Sequence, residues 1–288
     1  MSELLTNRTE TLRVLEKYGI HAKKKYGQNF LVDANIVGKI MDAAGIDDQD
    51  CVLEIGPGIG TMTQHLDRRA GCVVAVEIDR GLEPVLEETL QECSRTKVLF
   101  QDILKSDIDQ IRQQYAGEKQ MKCVANLPYY ITTPVLMQLL QVKDCFESIT
   151  VMVQKEVADR ITADAGSREY GALSVAMQYY AHPEVVCTVP PSCFMPKPGV
   201  DSCVLHLEAY SKPPVEALEE EMFALVRAAF NQRRKTLANA VSHGYFHEGK
   251  KLSREEVEAA LEKMGVPSDV RGEKLTLEQF GRLSRLLF

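Results

Sequence analysis

The sequence predicts an α/β fold: a mostly parallel sheet that ends in an antiparallel hairpin, followed by a small all-helical C-terminal domain. Three observations carry this. First, short apolar runs at 51–55, 72–76, 98–100, 123–125 and 149–153 alternate with segments of helical periodicity, such as 61–70, 82–92 and 133–141. Strand–helix alternation of this kind builds a parallel sheet covered by helices. Second, two further strand-like runs, 184–189 and 202–207, are joined by a proline-rich loop and not by a helix, which makes them an antiparallel pair at the end of the sheet. Third, beyond Pro213 and Pro214 every periodic stretch is helical, at 216–230, 233–241, 253–264 and 276–286.

The elements follow in order. Residues 7–18 carry Leu12, Leu15 and Tyr18 on one side of a helix closed by Gly19. Lys23, Lys24 and Lys25 then stand beside aromatics and amides, a pattern that suits a loop meeting phosphate and equally a solvated basic linker. Asp33 is placed to cap a helix bearing Ile36, Val37, Ile40 and Met41, which stops at Gly45. After the strand–helix alternation, 174–180 is apolar enough for a packed helix. These readings divide the chain into an N-terminal helix and basic loop (1–25), a large α/β domain (26–211) and a helical domain (212–288).

Composition narrows the function classes. The 288 residues are 45% hydrophobic and 26% charged, ordinary for a globular chain, and the net charge is -7. Any nucleic-acid site must therefore be a local basic patch on an acidic body. The eight cysteines include no CxxC pair and no histidine at finger-like distance, so no metal site is expected. Several cysteines sit inside apolar runs, as small buried hydrophobes of a reduced, cytoplasmic protein. The charged start of the chain argues against a signal peptide, and no apolar run reaches membrane-spanning length. His243 and His247 have i, i+4 spacing without a third ligand, and read as surface histidines.

Residues 54–60, Glu-Ile-Gly-Pro-Gly-Ile-Gly, join the first long strand to a helix. Glycines there let the backbone approach a ligand through a tight turn. Their G-x-G-x-G spacing differs from the G-x-G-x-x-G of dinucleotide sites and fits S-adenosylmethionine better than a pyrophosphate. Glu77 closes the next strand, where an acid can accept both ribose hydroxyls. Asp102 follows the third, where a carboxylate can take an adenine amino group. Either acid alone would read as a solvated loop residue; together, behind the glycine turn, they open on one crevice. The fourth strand ends in Asn126, Leu127, Pro128, Tyr129 and Tyr130. A strand-end amide, a stiff Leu-Pro step and aromatics suit a planar base with an exocyclic amine, and they equally suit an ordinary proline-containing connection.

Taken together, these motifs resemble those of the KsgA-type small-subunit rRNA adenine N6-dimethyltransferases. The resemblance runs from about Tyr26 to the C-terminus. It is carried by Gln28, Asn29, Phe30 and Leu31, the 54–60 turn, Glu77, Gln101 and Asp102, Asn126 to Tyr129, 170–174, 194–202 and 230–237. It implies a Rossmann-like S-adenosylmethionine-dependent methyltransferase fold with a helical C-terminal domain. The implied substrate is two adjacent adenosines in a hairpin near the 3′ end of 16S rRNA, in an immature small ribosomal subunit, met by a monomer. The Erm-type large-subunit methylases share the cofactor and the Asn-Leu-Pro-Tyr pattern, but 200–202 and 231–237 favour the small-subunit type.

By the resemblance, cofactor contacts fall on Asn29, Leu31, Gly56, Glu77, Asp102 and Asn126. Asn126 Oδ1 and the Leu127 carbonyl are the acceptors aimed at the N6 protons, and Pro128 stiffens the turn between them. Tyr129 stacks on one face of the base and Phe194, from the proline-rich loop, covers the other, although an aromatic in such a loop, read by itself, is a packing anchor. Lys23, Lys24, Lys25, Arg233, Arg234 and Lys235 are the candidate RNA contacts. The segment before His21 exceeds what the motifs require and has no assigned role.

Overall fold

The computed structural model describes residues 5–20, 27–244, 246–247 and 250–288. In chain order the first part comprises α1 (Arg8–Lys17), β1 (Phe30–Leu31), α2 (Ala34–Ala44), β2 (Cys51–Ile55), α3 (Thr61–Arg69), β3 (Cys72–Glu77), α4 (Glu83–Thr89), β4 (Thr96–Phe100), α5 (Ile108–Tyr115), β5 (Met121–Asn126), α6 (Thr132–Gln141) and β6 (Phe146–Gln154). Then come α7 (Lys155–Ile161), α8 (Ala172–Tyr180), β7 (Ala181–Val189), β8 (Phe194–Met195) and β9 (Ser202–Ala209). The remainder holds α9 (Glu219–Asn231), α10 (Leu237–Gly244), a two-residue hairpin of β10 (Phe246–His247) and β11 (Lys250–Lys251), α11 (Arg254–Lys263) and α12 (Leu277–Leu287).

The main sheet has seven strands in the order β4-β3-β2-β5-β6-β9-β7. β4, β3, β2, β5 and β6 run parallel, and β9 is antiparallel to β6. β2 is buried along its whole length and β3 nearly so, which is why their sequences read as unbroken apolar runs rather than as alternation. The strand order reverses between β2 and β5, and this is where α/β sheets open a crevice at the strand C-termini.

Local chemistry sets the element ends. Asp33 accepts from the Asn35 and Ile36 amides at the start of α2, and Gly45 ends that helix at φ 55°. Ser253 with Glu256, and Thr276 with Gln279, form capping boxes on α11 and α12. One expected helix starts late. The segment predicted helical from 233 is a turn until Thr236, because the Arg233 guanidinium reaches the carbonyls of Arg168 and Tyr170, and Lys235 N–H bonds back to Gln232.

The chain packs as two units. One comprises Met1–Ala158 with Pro183–Ala209, the other Asp159–His182 with Tyr210–Phe288. The second unit therefore takes in a stretch that the sequence reading placed in the α/β domain. Its reason is apolar: Tyr170, Val175 and Tyr179 share a core with Met222, Leu225, Leu237, Phe280 and Leu283. Likewise α1 is no separate element. Val14 and Leu5 are buried with Phe30, Ile59 and Val85 inside the first unit. All eight cysteines are free thiols; burial raises Cys51 to about 12 and Cys93 to about 11. Among the described residues no helix is long and apolar enough to cross a membrane.

Candidate active site

Sheet register assembles the site. Ile55 lies level with Val76 and with Ala125, and Glu77 lies level with Phe100. The residues that follow these strand ends thus face one crevice. A cavity of about 210 Å³ opens there, lined among others by Asn29, Leu31, Gly56, Gly58, Glu77, Asp102, Asn126, Leu127, Pro128 and Tyr129.

The glycine turn presents backbone to the cavity. Gly56 and Gly58 have φ of 69° and 60°, values side chains rarely tolerate, and a Cβ on Gly58 would sit 3.3 Å from the Phe30 ring. Glu77, 4% exposed, accepts from Gly58 N–H (3.2 Å) and Asp79 N–H (2.7 Å). Burial raises its carboxyl above the ordinary range, and those two N–H donors oppose the rise. Each carboxylate oxygen keeps accepting capacity beyond its one backbone donor. Asp102 accepts from Leu104 N–H at 3.0 Å and caps a short turn. A cradle of exposed backbone, two strand-end carboxylates and apolar walls fits a nucleoside with ribose hydroxyls and an amino group.

The Asn126 amide is oriented by one contact. Its Nδ2 donates to the Asn29 carbonyl at 2.9 Å. A backbone carbonyl only accepts, so this contact fixes which end of the amide is nitrogen and leaves Oδ1 as its acceptor. Asn29 is held in turn where β1 pairs antiparallel with β8, Phe30 opposite Met195 and Leu31 opposite Phe194. Leu127 N–H bonds to the Met152 carbonyl, and the Pro128 carbonyl accepts from Ile131 N–H. Tyr129 Oη and Ser202 Oγ lie 2.8 Å apart, which anchors the ring at the cavity wall. Burial raises the Tyr129 phenol pKa, opposed by Ser202.

The cavity thus brings together Asn29, Leu31, Gly56, Glu77, Asp102, Asn126, Leu127, Pro128 and Tyr129. It does not include Phe194. That ring is 1% exposed and packs with Leu31, Val37, Met152 and Val204, so it serves here as a core anchor. The proline-rich loop reaches the site through its β8 backbone, which holds β1. Arg233 is committed to the carbonyls of Arg168 and Tyr170 and to Glu273, while Arg234 and Lys235 are exposed. Lys23, Lys24 and Lys25 lie outside the described residues. Sequence reasoning missed Ile78, Ile103 and Leu104 as cavity residues, while Tyr130, named with the base-binding stretch, does line the cavity. Each follows a residue that it did identify, so position one to four residues past a strand end was the available signal.

A nucleoside-sized cradle beside an amide and an anchored tyrosine fits the class of methyltransferases that act on a planar amine. Residues 19–287 match the model of the family described as ribosomal RNA adenine dimethylase. Ribosomal RNA small subunit methyltransferase A of Lachnoclostridium phytofermentans is 50% identical over 280 residues, 96% of each chain. The protein of that name from Geobacillus thermodenitrificans is 47% identical over 279 residues, 96% of this chain and 94% of its own. Among solved structures, a dimethyladenosine transferase from Plasmodium falciparum superposes with TM-score 0.73 at 25% identity, covering 88% of this chain and 95% of that one. The 23S rRNA methyltransferase ErmE superposes with TM-score 0.70 at 28% identity, covering 90% and 99%. The chain belongs to the ribosomal RNA adenine dimethylase family, and is an enzyme of that kind.

Proposed function

We propose that the protein transfers methyl groups from S-adenosylmethionine to N6 of two adjacent adenosines, in a hairpin near the 3′ end of 16S rRNA in an immature small ribosomal subunit. It acts as a cytoplasmic monomer without a metal. One observation carries the chemistry: the 2.9 Å bond from Asn126 Nδ2 to the Asn29 carbonyl, which commits Oδ1 as an acceptor at the cavity wall. The small-subunit substrate is supported by relatives at 43–50% identity, against 28% for the large-subunit enzyme of similar fold.

Glu77 would hold the cofactor ribose, Asp102 its adenine amine, and the Gly56–Gly58 backbone its remaining polar groups. When bound, the sulfonium supplies an electrophilic methyl group. Adenine N6 is a weak nucleophile because its lone pair is delocalised into the ring. Asn126 Oδ1 and the Leu127 carbonyl accept its protons, favour a pyramidal nitrogen and stabilise the positive charge that develops there. Pro128 limits motion of that carbonyl, and Tyr129 stacks on the base. No strong base is needed, since the proton becomes acidic only after transfer; positioning supplies most of the rate. Arg234, Lys235 and the three lysines at 23–25 would grip phosphate, with Arg233 shaping the turn that carries Arg234 and Lys235.

The test incubates the enzyme with labelled cofactor and immature 30S particles, mature 30S particles or large-subunit RNA, then maps the product. The expected result is dimethyladenosine at two neighbouring positions of 16S rRNA. Label confined to large-subunit RNA would overturn the substrate, and monomethyladenosine alone under excess cofactor would overturn dimethylation.

A further inference from the structure

The helix α1 lies wholly before residue 19, where the match to the family model begins. It is nevertheless built into the site. Val14 is 1% exposed and Leu5 2%, and both pack with Phe30 and Ile59. Phe30 is the residue between Asn29 and Leu31, and its ring covers Gly58 so closely that a Cβ there would lie at 3.3 Å. Ile59 belongs to the glycine turn itself and is fully buried. Polar contacts fix the same segment. The Leu5 N–H donates to Gln64 Oε1 on α3 (3.1 Å), Gln64 Nε2 donates to the Thr89 carbonyl (2.8 Å), and Tyr18 and Lys17 both bond to Glu88 on α4.

We infer that this N-terminal segment is a positioning element for the methyl-transfer site. Val14 and Leu5 hold Phe30 and Ile59 in place. Phe30 holds the Gly58 turn on one side and, through the peptide bond it shares with the preceding residue, the Asn29 carbonyl that orients Asn126. The helix touches neither base nor cofactor; it acts through Phe30. Removing its apolar contact frees the turn and the carbonyl together, so cofactor affinity and turnover fall together. The inference rests on the cofactor reading above.

The test uses the full chain and three variants. Val14→Ala removes the contact, Val14→Ile keeps a β-branched apolar side chain there, and Ile111→Ala makes a cavity at least as large on α5, away from the site. Hydrogen exchange on the ligand-free protein is read at the Gly58 and Gly60 amides, and S-adenosylmethionine affinity by calorimetry well below the melting temperature. Val14→Ala should lose protection at both amides and bind the cofactor about fivefold to tenfold more weakly. Val14→Ile should behave as wild type, and Ile111→Ala should lose stability without either change. Unaltered protection in Val14→Ala overturns the clamp whatever the ligand. Lost protection with unchanged affinity, or an equal loss of affinity in Ile111→Ala, overturns its link to the site. A wild-type protein that binds no S-adenosylmethionine would overturn the cofactor reading, and with it that link, while the exchange result still judges the clamp.

Discussion

The two units treat buried polar atoms differently. In the helical unit they close on the unit's own backbone: Tyr170 Oη donates to the Leu275 carbonyl (2.9 Å), Ser284 Oγ to the Gly281 carbonyl (2.7 Å) and Ser242 Oγ to the Asn239 carbonyl (3.2 Å). Among the described residues, eight buried side-chain polar atoms lack a hydrogen-bond partner, and all but Ser167 Oγ lie in the α/β unit. Five residues among them, Glu54, Thr61, Thr63, His65 and Thr89, border the glycine turn or the helix it starts. One unit is built for closure; the other carries uncompensated polarity behind its site, as functional sites commonly do.

Four substitutions sharpen or break that contrast. The largest effect is expected from Phe194→Ala. As a fully buried core ring it should cost about 3–5 kcal/mol of stability, seen in denaturant midpoints. A stable Phe194→Ala protein with impaired methylation would instead place the ring against substrate. Next, Asn126→Ala should lower kcat on the order of 10²–10³-fold with little change in melting temperature, because it removes a preorganised acceptor. A purely structural amide would give the reverse pattern.

Third is Glu54, fully buried, with no partner on either oxygen. Burial pushes its carboxyl up to about 8; the nearby Thr63 hydroxyl tempers this, without hydrogen-bond geometry, and the Glu77 charge adds to it. The folded protein thus holds a proton that the unfolded chain has released above the ordinary carboxylate range. Stability is full below that range and is lost as pH rises towards about 8, with a slope of about 1.4 kcal/mol per unit from this group. Glu54→Gln should flatten that slope in melts between pH 5 and 8; an unchanged slope would assign it to other groups. The smallest effect is Tyr170→Phe, about 1 kcal/mol in stability with cofactor affinity unchanged. A shift in affinity would show that the helical unit is not energetically separate.

Much of the α/β unit was legible because its signals are local. Parallel strands buried on both faces read as apolar runs, and the glycine turn, Glu77, Asp102 and Asn126 each follow one. Less legible was what depends on distant partners. Nothing local in 194–195 says that these residues pair with 30–31; the local reading of Phe194 as a packing anchor was set aside for the role the family resemblance implied, and the ring does lie in the core. Nor does 233–236 reveal that Arg233 leaves the helix for carbonyls more than sixty residues away. The allocation of 159–182 to the helical unit is equally non-local, since an apolar helix can cover a sheet or another helix with the same pattern.

The short β1–β8 ladder has one more consequence. Leu31 pairs with Phe194, and Val32 N–H bonds to the Cys193 carbonyl at 2.8 Å. A wall of the site read near the start of the chain is therefore closed only by residues made some 160 positions later. During synthesis the strands that carry Glu77, Asp102 and Asn126 can associate first. The β1 wall of the pocket cannot be pinned in this way until the loop after β7 has been made, so its support comes late in synthesis.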